Sequence, residues 1–168
     1  MSYLTLANKV TLARIASIPL CLVFIFTGFY GLAAVVFIII SSSDLIDGYI
    51  ARKYHQVSEV GKMLDPLADK ILVLSVLIAL TGIGKADPLA VILICTRELI
   101  VSSIRTKKNF AANLFGKWKT FVQVAAILLL MLHLPFAEVV LWISVILSLF
   151  SGGVYLWQSN IISQLRSS

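Results

Sequence analysis

Six long apolar segments, separated by short polar connections, set the pattern of this chain. They are expected at about residues 12–29, 32–43, 61–81, 89–101, 121–134 and 139–162. A helix that crosses a bilayer needs roughly 20 mostly apolar residues, so 168 residues have room for about six such helices. The pattern predicts an all-α integral membrane protein with six transmembrane helices, folded as a single membrane-embedded domain over residues 1–168.

The composition supports this interpretation, because 60% of the residues are hydrophobic and only 13% are charged. The mean hydropathy of +0.99 exceeds that of ordinary soluble domains. The first segment lacks the basic start and the small-residue cleavage site of a removable signal peptide, so we expect it to remain as a membrane helix. Cys21 and Cys95 both lie in apolar runs, and we expect buried hydrophobic side chains rather than a disulfide or a metal site.

The formal net charge of +6 is concentrated in the connections of one side. The basic residues expected to share a side with the amino terminus are Arg52, Lys53, Lys62, Arg105, Lys107, Lys108, Lys117, Lys119 and Arg166. Lys85 alone lies in a connection of the other side. Because Lys and Arg mark the cytoplasmic ends of membrane helices, we expect a multi-pass protein of the cytoplasmic membrane with both termini in the cytoplasm. Clusters of this kind are not a nucleic-acid-binding face, so no nucleic acid is expected among the partners.

Four aspartates stand out against this apolar background. Asp44 and Asp47 are spaced i, i+3, and Asp65 and Asp69 are spaced i, i+4, so each pair occupies one face of a helix. Carboxylates at the edge of an apolar bundle must be paired, protonated or bound to a cation. Oxygen ligands without His or Cys favour Mg²⁺ or Mn²⁺, and two ions about 3.5–4 Å apart would suit phosphoryl transfer. An acidic pathway for ion transport remains the alternative.

The residues around these aspartates resemble the full signature of the CDP-alcohol phosphotransferases. The eight matching positions are Asp44, Asp47, Gly48, Ala51, Arg52, Gly61, Asp65 and Asp69, at the family's spacing. Residues 8–14, 97–105 and 116–120 are in addition similar to the phosphatidylglycerophosphate synthase branch. The resemblance implies the six-helix membrane fold of that family and a homodimer. It also implies transfer of a phosphatidyl-type group from a CDP-linked donor to an alcohol, with release of CMP.

The resemblance implies a role for each matched residue. All four aspartates would bind metal, with Asp69 acting as the general base and Asp65 beside it in the catalytic pair. The CDP-lipid would bind at Asp47, Gly48, Ala51, Arg52 and Gly61. The small residues would leave room for the nucleotide, and the guanidinium of Arg52 would reach the donor phosphates.

A second set of basic residues is expected to bind the phosphate of the acceptor. Arg105, Lys117 and Lys119 match family positions, although attraction to anionic lipid headgroups would also explain such charges. Arg97 and Glu98 adjoin a long apolar run, and either this pocket or a structural ion pair with other helices fits them. Further lining of the acceptor pocket is expected from Asn8, Thr11 and Arg14, for which a helix-start cap is the alternative.

The expected reaction transfers the phosphatidyl group of CDP-diacylglycerol to glycerol 3-phosphate, giving phosphatidylglycerophosphate and CMP with Mg²⁺ or Mn²⁺. The active site would face the cytoplasm and open both to water and to the lipid bilayer. The same chemistry with inositol phosphate or serine as acceptor is the alternative within the family. A cation transporter and a catalytically inactive membrane protein are the alternatives from other classes.

Overall fold

The structure, a computed structural model, is helical wherever it describes regular elements. It describes the backbone of residues 6–53, 59–107 and 114–158, and the side chains of residues 12–42, 67–103 and 118–153. Within these ranges there are six α-helices and no β-strand. The helices are α1 (Leu6–Phe26), α2 (Tyr30–Lys53), α3 (Glu59–Gly82), α4 (Pro88–Lys107), α5 (Leu114–Met131) and α6 (Ala137–Gln158). The predicted all-α architecture is therefore confirmed for this part of the chain.

Several helices extend beyond the apolar segments that predict them. α2 continues to Lys53 and α4 to Lys107, and α5 already begins at Leu114. Charged residues such as Lys, Arg and Glu are good helix formers, so the backbone continues its hydrogen bonds where the hydrophobicity stops. Hydropathy locates the apolar body of each helix but not its polar ends.

The described turns, which follow α1, α3 and α5, are short, and two of them have recognisable chemistry. Gly28 and Gly84 adopt positive φ angles of 82° and 72°, which glycine tolerates without steric cost. The Asp87 side chain accepts a hydrogen bond of 2.8 Å from the backbone N–H of Leu89 and so caps the start of α4. Turn geometry of this kind explains why the apolar segments are separated where they are.

The chain forms two compact units, residues Met1–Ile83 and Gly84–Ser168. In the first unit, α1 packs against both α2 and α3. In the second unit, α6 packs against both α4 and α5. The expectation of one domain over residues 1–168 stays a prediction.

The core of the first unit is apolar along most of its length. α1 contributes Ile18, Cys21 and Ile25, which recur at about one helical turn and are all buried. The thiol of Cys21 lies 3.6 Å from the backbone oxygen of Ala33 in α2. Both cysteines are free; Cys21 is buried, as predicted, whereas Cys95 is only half-buried.

The core of the second unit contains a polar seam. Besides apolar side chains such as Ile94, Ile127 and Leu141, seven polar or charged residues are buried there. They are Arg97, Glu98, Lys119, Gln123, Ser144, Ser148 and Ser151. Polar groups removed from water must find partners within the protein, so this seam strongly constrains how α4, α5 and α6 pack.

Among the residues with described side chains, no helix is both long enough and apolar enough to cross a membrane.

The outer surface of the described helices is unusually apolar. Large hydrophobic side chains are exposed on every helix, among them Val23, Ile39, Ile78, Leu99, Phe121 and Ile146. Soluble monomers rarely expose contiguous apolar surface of large area.

Candidate functional site

The eight signature positions lie on two consecutive helices of the first unit. α2 carries Asp44, Asp47, Gly48, Ala51 and Arg52, and α3 carries Gly61, Asp65 and Asp69. Lys53 ends α2 and Glu59 begins α3, so covalent geometry keeps these two Cα atoms within roughly 22 Å. The two aspartate pairs therefore lie on helical backbone near the α2–α3 junction. Of the eight side chains, that of Asp69 is described; the other seven lie outside the described side chains.

Asp69 forms an ion pair with a residue from a different helix. The Nη1 atom of Arg14 in α1 donates a hydrogen bond of 2.8 Å to Oδ1 of Asp69. The Arg14 side chain is only 1% exposed, whereas that of Asp69 is 42% exposed. The carboxylate therefore reaches the edge of the unit, while the guanidinium lies inside the packed helices.

Apolar packing between α1 and α3 accompanies this contact. Ile18 follows Arg14 by one turn on α1, and Leu72 follows Asp69 by about one turn on α3; both apolar side chains are buried. Residues at this spacing share a helical face, so the packing of that face carries Arg14 and Asp69 towards each other. A buried guanidinium without a partner would be strongly unfavourable, which makes the pair part of the same packing solution.

Arg14 was expected to line the acceptor pocket together with Asn8 and Thr11. In the structure the guanidinium of Arg14 forms an ion pair with Asp69. Asn8 and Thr11 lie on the backbone of α1, but their side chains are outside the described ones. The acceptor-binding role of all three stays a prediction.

The second unit contains a buried cluster of charged side chains, which we call the Glu98 cluster: Arg97, Glu98 and Lys119. Nη1 of Arg97 donates a hydrogen bond of 2.7 Å to Oε1 of Glu98. The ammonium of Lys119, from α5, forms an ion pair with the same oxygen. All three side chains are at least nine-tenths buried. The Glu98 cluster therefore joins α4 to α5 by charge inside the unit.

Arg97 also joins α4 to α6. Its Nε atom donates to the backbone oxygen of Ser148 at 2.8 Å, and its Nη2 atom donates to Oγ of Ser151 at 3.0 Å. A Cβ atom added to Gly152 would lie 3.1 Å from Nε and 3.2 Å from Cγ of Arg97. Of the two interpretations of Arg97 and Glu98, these contacts favour a structural ion pair with other helices.

Sequence reasoning did not identify the partners on α6. Ser144, Ser148 and Ser151 are spaced i, i+4, i+7 in an otherwise apolar segment. Such a polar stripe on one face of an apolar helix indicates a buried polar contact, so these serines were the sequence signal from which the partners on α6 could have been predicted. Gly152 gave no signal, because the close approach of Arg97 exists only in the folded unit.

Two buried polar atoms beside this seam have no hydrogen-bond partner among the described residues. They are Nε2 of Gln123, one turn after Lys119 on α5, and Oγ of Ser148. Arg105 and Lys117, the other two predicted ligands of the acceptor phosphate, lie outside the described side chains. Of the three predicted ligands of the acceptor phosphate, Lys119 is therefore the one whose side-chain contacts the structure describes.

The donor set of the aspartates suits a hard divalent cation. Among the described side chains, no group of three or more His, Cys, Asp or Glu residues could hold a metal ion. Asp44, Asp47 and Asp65, three of the four predicted ligands, lie outside the described side chains. Its chemistry, oxygen donors only, is the chemistry that Mg²⁺ and Mn²⁺ prefer.

Comparison with known proteins gives a consistent result. A family model for the CDP-alcohol phosphatidyltransferases matches residues 4–150. The chain is 39% identical to the CDP-diacylglycerol--glycerol-3-phosphate 3-phosphatidyltransferase of Bacillus subtilis, over 89% of this chain and 92% of that protein. A protein of the same name from Rickettsia bellii is 38% identical over the same shares. A probable phosphatidylglycerophosphate synthase of Mycobacterium tuberculosis is 36% identical, over 89% of this chain and 79% of that protein.

Proposed function

The chain belongs to the CDP-alcohol phosphatidyltransferase family, and on that premise we propose that it transfers the phosphatidyl group of CDP-diacylglycerol to glycerol 3-phosphate. The products would be phosphatidylglycerophosphate and CMP. The observation that carries the proposal is similarity over 89% of the chain to enzymes named for this donor and this acceptor. The chemistry of the eight signature residues on α2 and α3 also supports the proposed reaction.

The aspartates would hold the metal that enzymes of this family generally use. We assign Asp44, Asp47, Asp65 and Asp69 as ligands of Mg²⁺ or Mn²⁺, with two ions expected. When bound, the metal would neutralise the charge that develops on the phosphates during transfer. The oxygen-only donor set and the i, i+3 and i, i+4 spacings on helical backbone support this assignment.

The protein's own residues would then orient the reacting groups. Asp69, whose carboxylate is partly exposed at the edge of the unit, would accept the proton of the attacking hydroxyl. The acceptor oxygen would bond to the lipid-side phosphorus as the bond to the CMP oxygen breaks. A single in-line displacement of this kind needs no covalent enzyme intermediate.

The CDP-lipid would bind along α2 and the start of α3. Gly48 and Ala51 are the small residues that allow the nucleotide close to the helix backbone, and Arg52 supplies a planar set of donors for the phosphates. Asp47 would contact the same donor, and Gly61 would allow close approach at the start of α3. Helical backbone at all five positions supports this arrangement.

The phosphate of the acceptor would be recognised by the basic residues that match family positions. Arg105 and Lys117 are proposed as direct ligands, together with Lys119. Lys119, whose ammonium also forms an ion pair with Glu98, stays a predicted member of this set. Asn8 and Thr11 stay predicted members of the pocket.

We further propose that the protein is a multi-pass protein of the cytoplasmic membrane, with the aspartates on the cytoplasmic side. The apolar side chains exposed on every described helix support a lipid environment, because leaving about half of a large apolar side chain in water loses roughly 1 kcal/mol of burial. The basic connections support the orientation. A homodimer is proposed from the resemblance alone, and the mass of the purified particle would test it.

The decisive experiment is CMP release by the purified protein with CDP-diacylglycerol and Mg²⁺. Glycerol 3-phosphate is compared with inositol phosphate, serine and no acceptor. Release with glycerol 3-phosphate alone is the expected result. Release with a different acceptor would overturn the assignment of the basic residues and keep the aspartate chemistry. No release with any acceptor, from folded protein supplied with metal, would overturn the proposal and turn attention to cation flux in liposomes.

A further inference from the structure

We propose that Arg14 is a positioning residue, whose buried guanidinium orients the carboxylate of Asp69 for its part in the reaction. The inference rests on the proposed function, in which Asp69 is the general base and a metal ligand. It assigns Arg14 a role other than binding the phosphate of the acceptor. The role follows from the geometry of one ion pair and from the packing of the two helices that carry it.

The two partners of this pair differ in how firmly they are held. The Arg14 side chain is 1% exposed and lies among the packed helices of the first unit, whereas the Asp69 side chain is 42% exposed. A half-exposed carboxylate can change rotamer, but a buried guanidinium cannot do so without a new partner. The hydrogen bond between them therefore selects the orientation of Asp69 and not that of Arg14.

The chemistry of arginine suits this role. Its guanidinium is planar, carries its donors at fixed angles and stays charged, so one bond to Oδ1 sets a direction as well as a distance. An ionised carboxylate has about four lone-pair sites, so a bond from Arg14 does not exhaust its capacity to accept. Asp69 can be held by Arg14 and still accept a proton or ligate a metal ion.

The location of the pair links the folding of the unit to its chemistry. Arg14 is one turn before Ile18 on the buried face of α1, and Asp69 is about one turn before Leu72 on α3. α1 packs against α3, and the ion pair is one of the contacts between the two helices. A catalytic group must be placed within a few tenths of an ångström, and a displacement of about 1 Å can lower the rate about 100-fold.

The test compares Arg14→Lys and Arg14→Gln with Ile25→Val as the matched control. The control removes one buried methylene from the same helix about three turns after Arg14 and leaves the packing around the ion pair in place. In Arg14→Gln we expect kcat to fall about 100-fold while the KM for glycerol 3-phosphate stays within about threefold. Arg14→Lys should recover part of the loss, and Ile25→Val should keep the wild-type kcat. A rise in that KM with unchanged kcat would overturn the proposal in favour of acceptor binding.

A second measurement does not depend on turnover. The stabilisation that Mn²⁺ gives against thermal unfolding is measured for the wild type, Arg14→Gln, Asp69→Asn and the double variant. We expect Arg14→Gln to reduce this stabilisation in the wild-type background and to have no effect in the Asp69→Asn background. An equal effect in both backgrounds, or no stabilisation of the wild type by Mn²⁺, would contradict the proposal. Loss of CMP release in the wild type with a normal Mn²⁺ result would instead contradict the proposed function alone.

Discussion

The two units of this chain each contain an arginine bonded to a carboxylate, and the two pairs differ in access to the outside. The Arg14–Asp69 bond of 2.8 Å and the Arg97–Glu98 bond of 2.7 Å are nearly equal in length. The Asp69 side chain is 42% exposed, whereas that of Glu98 is 8% exposed. A carboxylate that is to meet a substrate or a metal must be reachable. Although the two hydrogen bonds are nearly equal in length, the difference in exposure thus supports a chemical role for the pair in the first unit and a structural role for the pair in the second.

The surroundings of the two pairs support the same distinction. Glu98 also bonds Lys119, and Arg97 continues to Ser148 and Ser151, so that the Glu98 cluster links three helices. Charges buried in this way are paired because an unpaired one would be strongly unfavourable. Arg14 and Asp69 join two helices at the end of the unit that carries the family signature. The comparison predicts that mutations in the first unit act on turnover and those in the Glu98 cluster act on stability.

The largest effect on turnover is expected from Asp69→Asn. Loss of the base should lower kcat by about 1,000-fold while CDP-diacylglycerol binding is largely retained, as measured by CMP release and by donor titration. Asp87→Asn is the matched control, since its side chain caps α4 and asparagine caps helices equally well. Wild-type turnover in Asp69→Asn would remove the base assignment.

The largest effect on stability is expected from Glu98→Gln. The substitution leaves Arg97 and Lys119 buried without their common anion, and removal of one partner of a buried pair costs about 3–5 kcal/mol of unfolding free energy. Glu138→Gln, at an exposed position in the first turn of α6, should cost less than about 1 kcal/mol. Thermal unfolding compares the two variants. Equal midpoints would show that the Glu98 cluster is not structural.

A smaller loss of stability is expected from Gly152→Ala. Its methyl group would approach Arg97 to 3.1–3.2 Å, and overpacking of this kind costs about 1–3 kcal/mol. The neighbouring Gly153→Ala meets no atom within 4 Å and should raise stability by about 0.5–1 kcal/mol, because glycine is unfavourable within a helix. Opposite signs of the two midpoint shifts are the expected result. Shifts of the same sign would contradict the tight contact at Gly152.

The smallest effect is expected from a substitution that tests whether Lys117 recognises the acceptor. Lys117→Ala should raise the KM for glycerol 3-phosphate about tenfold and that for the donor less, since a charge-assisted hydrogen bond contributes roughly 1.5 kcal/mol. Lys85→Ala, in the turn before α4, is the control and should leave both constants unchanged. An unchanged acceptor KM in Lys117→Ala would remove Lys117 from the pocket and leave that role to Arg105 and Lys119.

The helical architecture could be predicted because hydrophobic pattern acts locally. Long apolar segments between polar connections indicate where helices lie, and the structure places α1 to α6 over those segments. The ends of the helices were harder to predict from the sequence, because α4 and α5 continue through charged residues that hydropathy assigns to the connections. Backbone hydrogen bonding, not hydrophobicity, decides where a helix ends.

The candidate site was predictable only in part. The signature identified Asp69 through its spacing to the other aspartates, but no sequence pattern predicted Arg14 as its partner, 55 positions away. Arg97 and Glu98 were open to two interpretations until Ser148, Ser151 and Lys119 appeared beside them. Contacts between distant residues depend on how helices pack, which one sequence does not reveal.

The sequence alone determined the helical class, the family and the identity of the acidic residues, because these depend on composition and on spacing within single segments. The tertiary structure alone decided which charges meet: Arg14 with Asp69 at a reachable edge, and Arg97 with Glu98 in a closed interior. The physical reason is that a charge acquires its role from its burial and its partners. Both are properties of the packed helices and not of the residue itself.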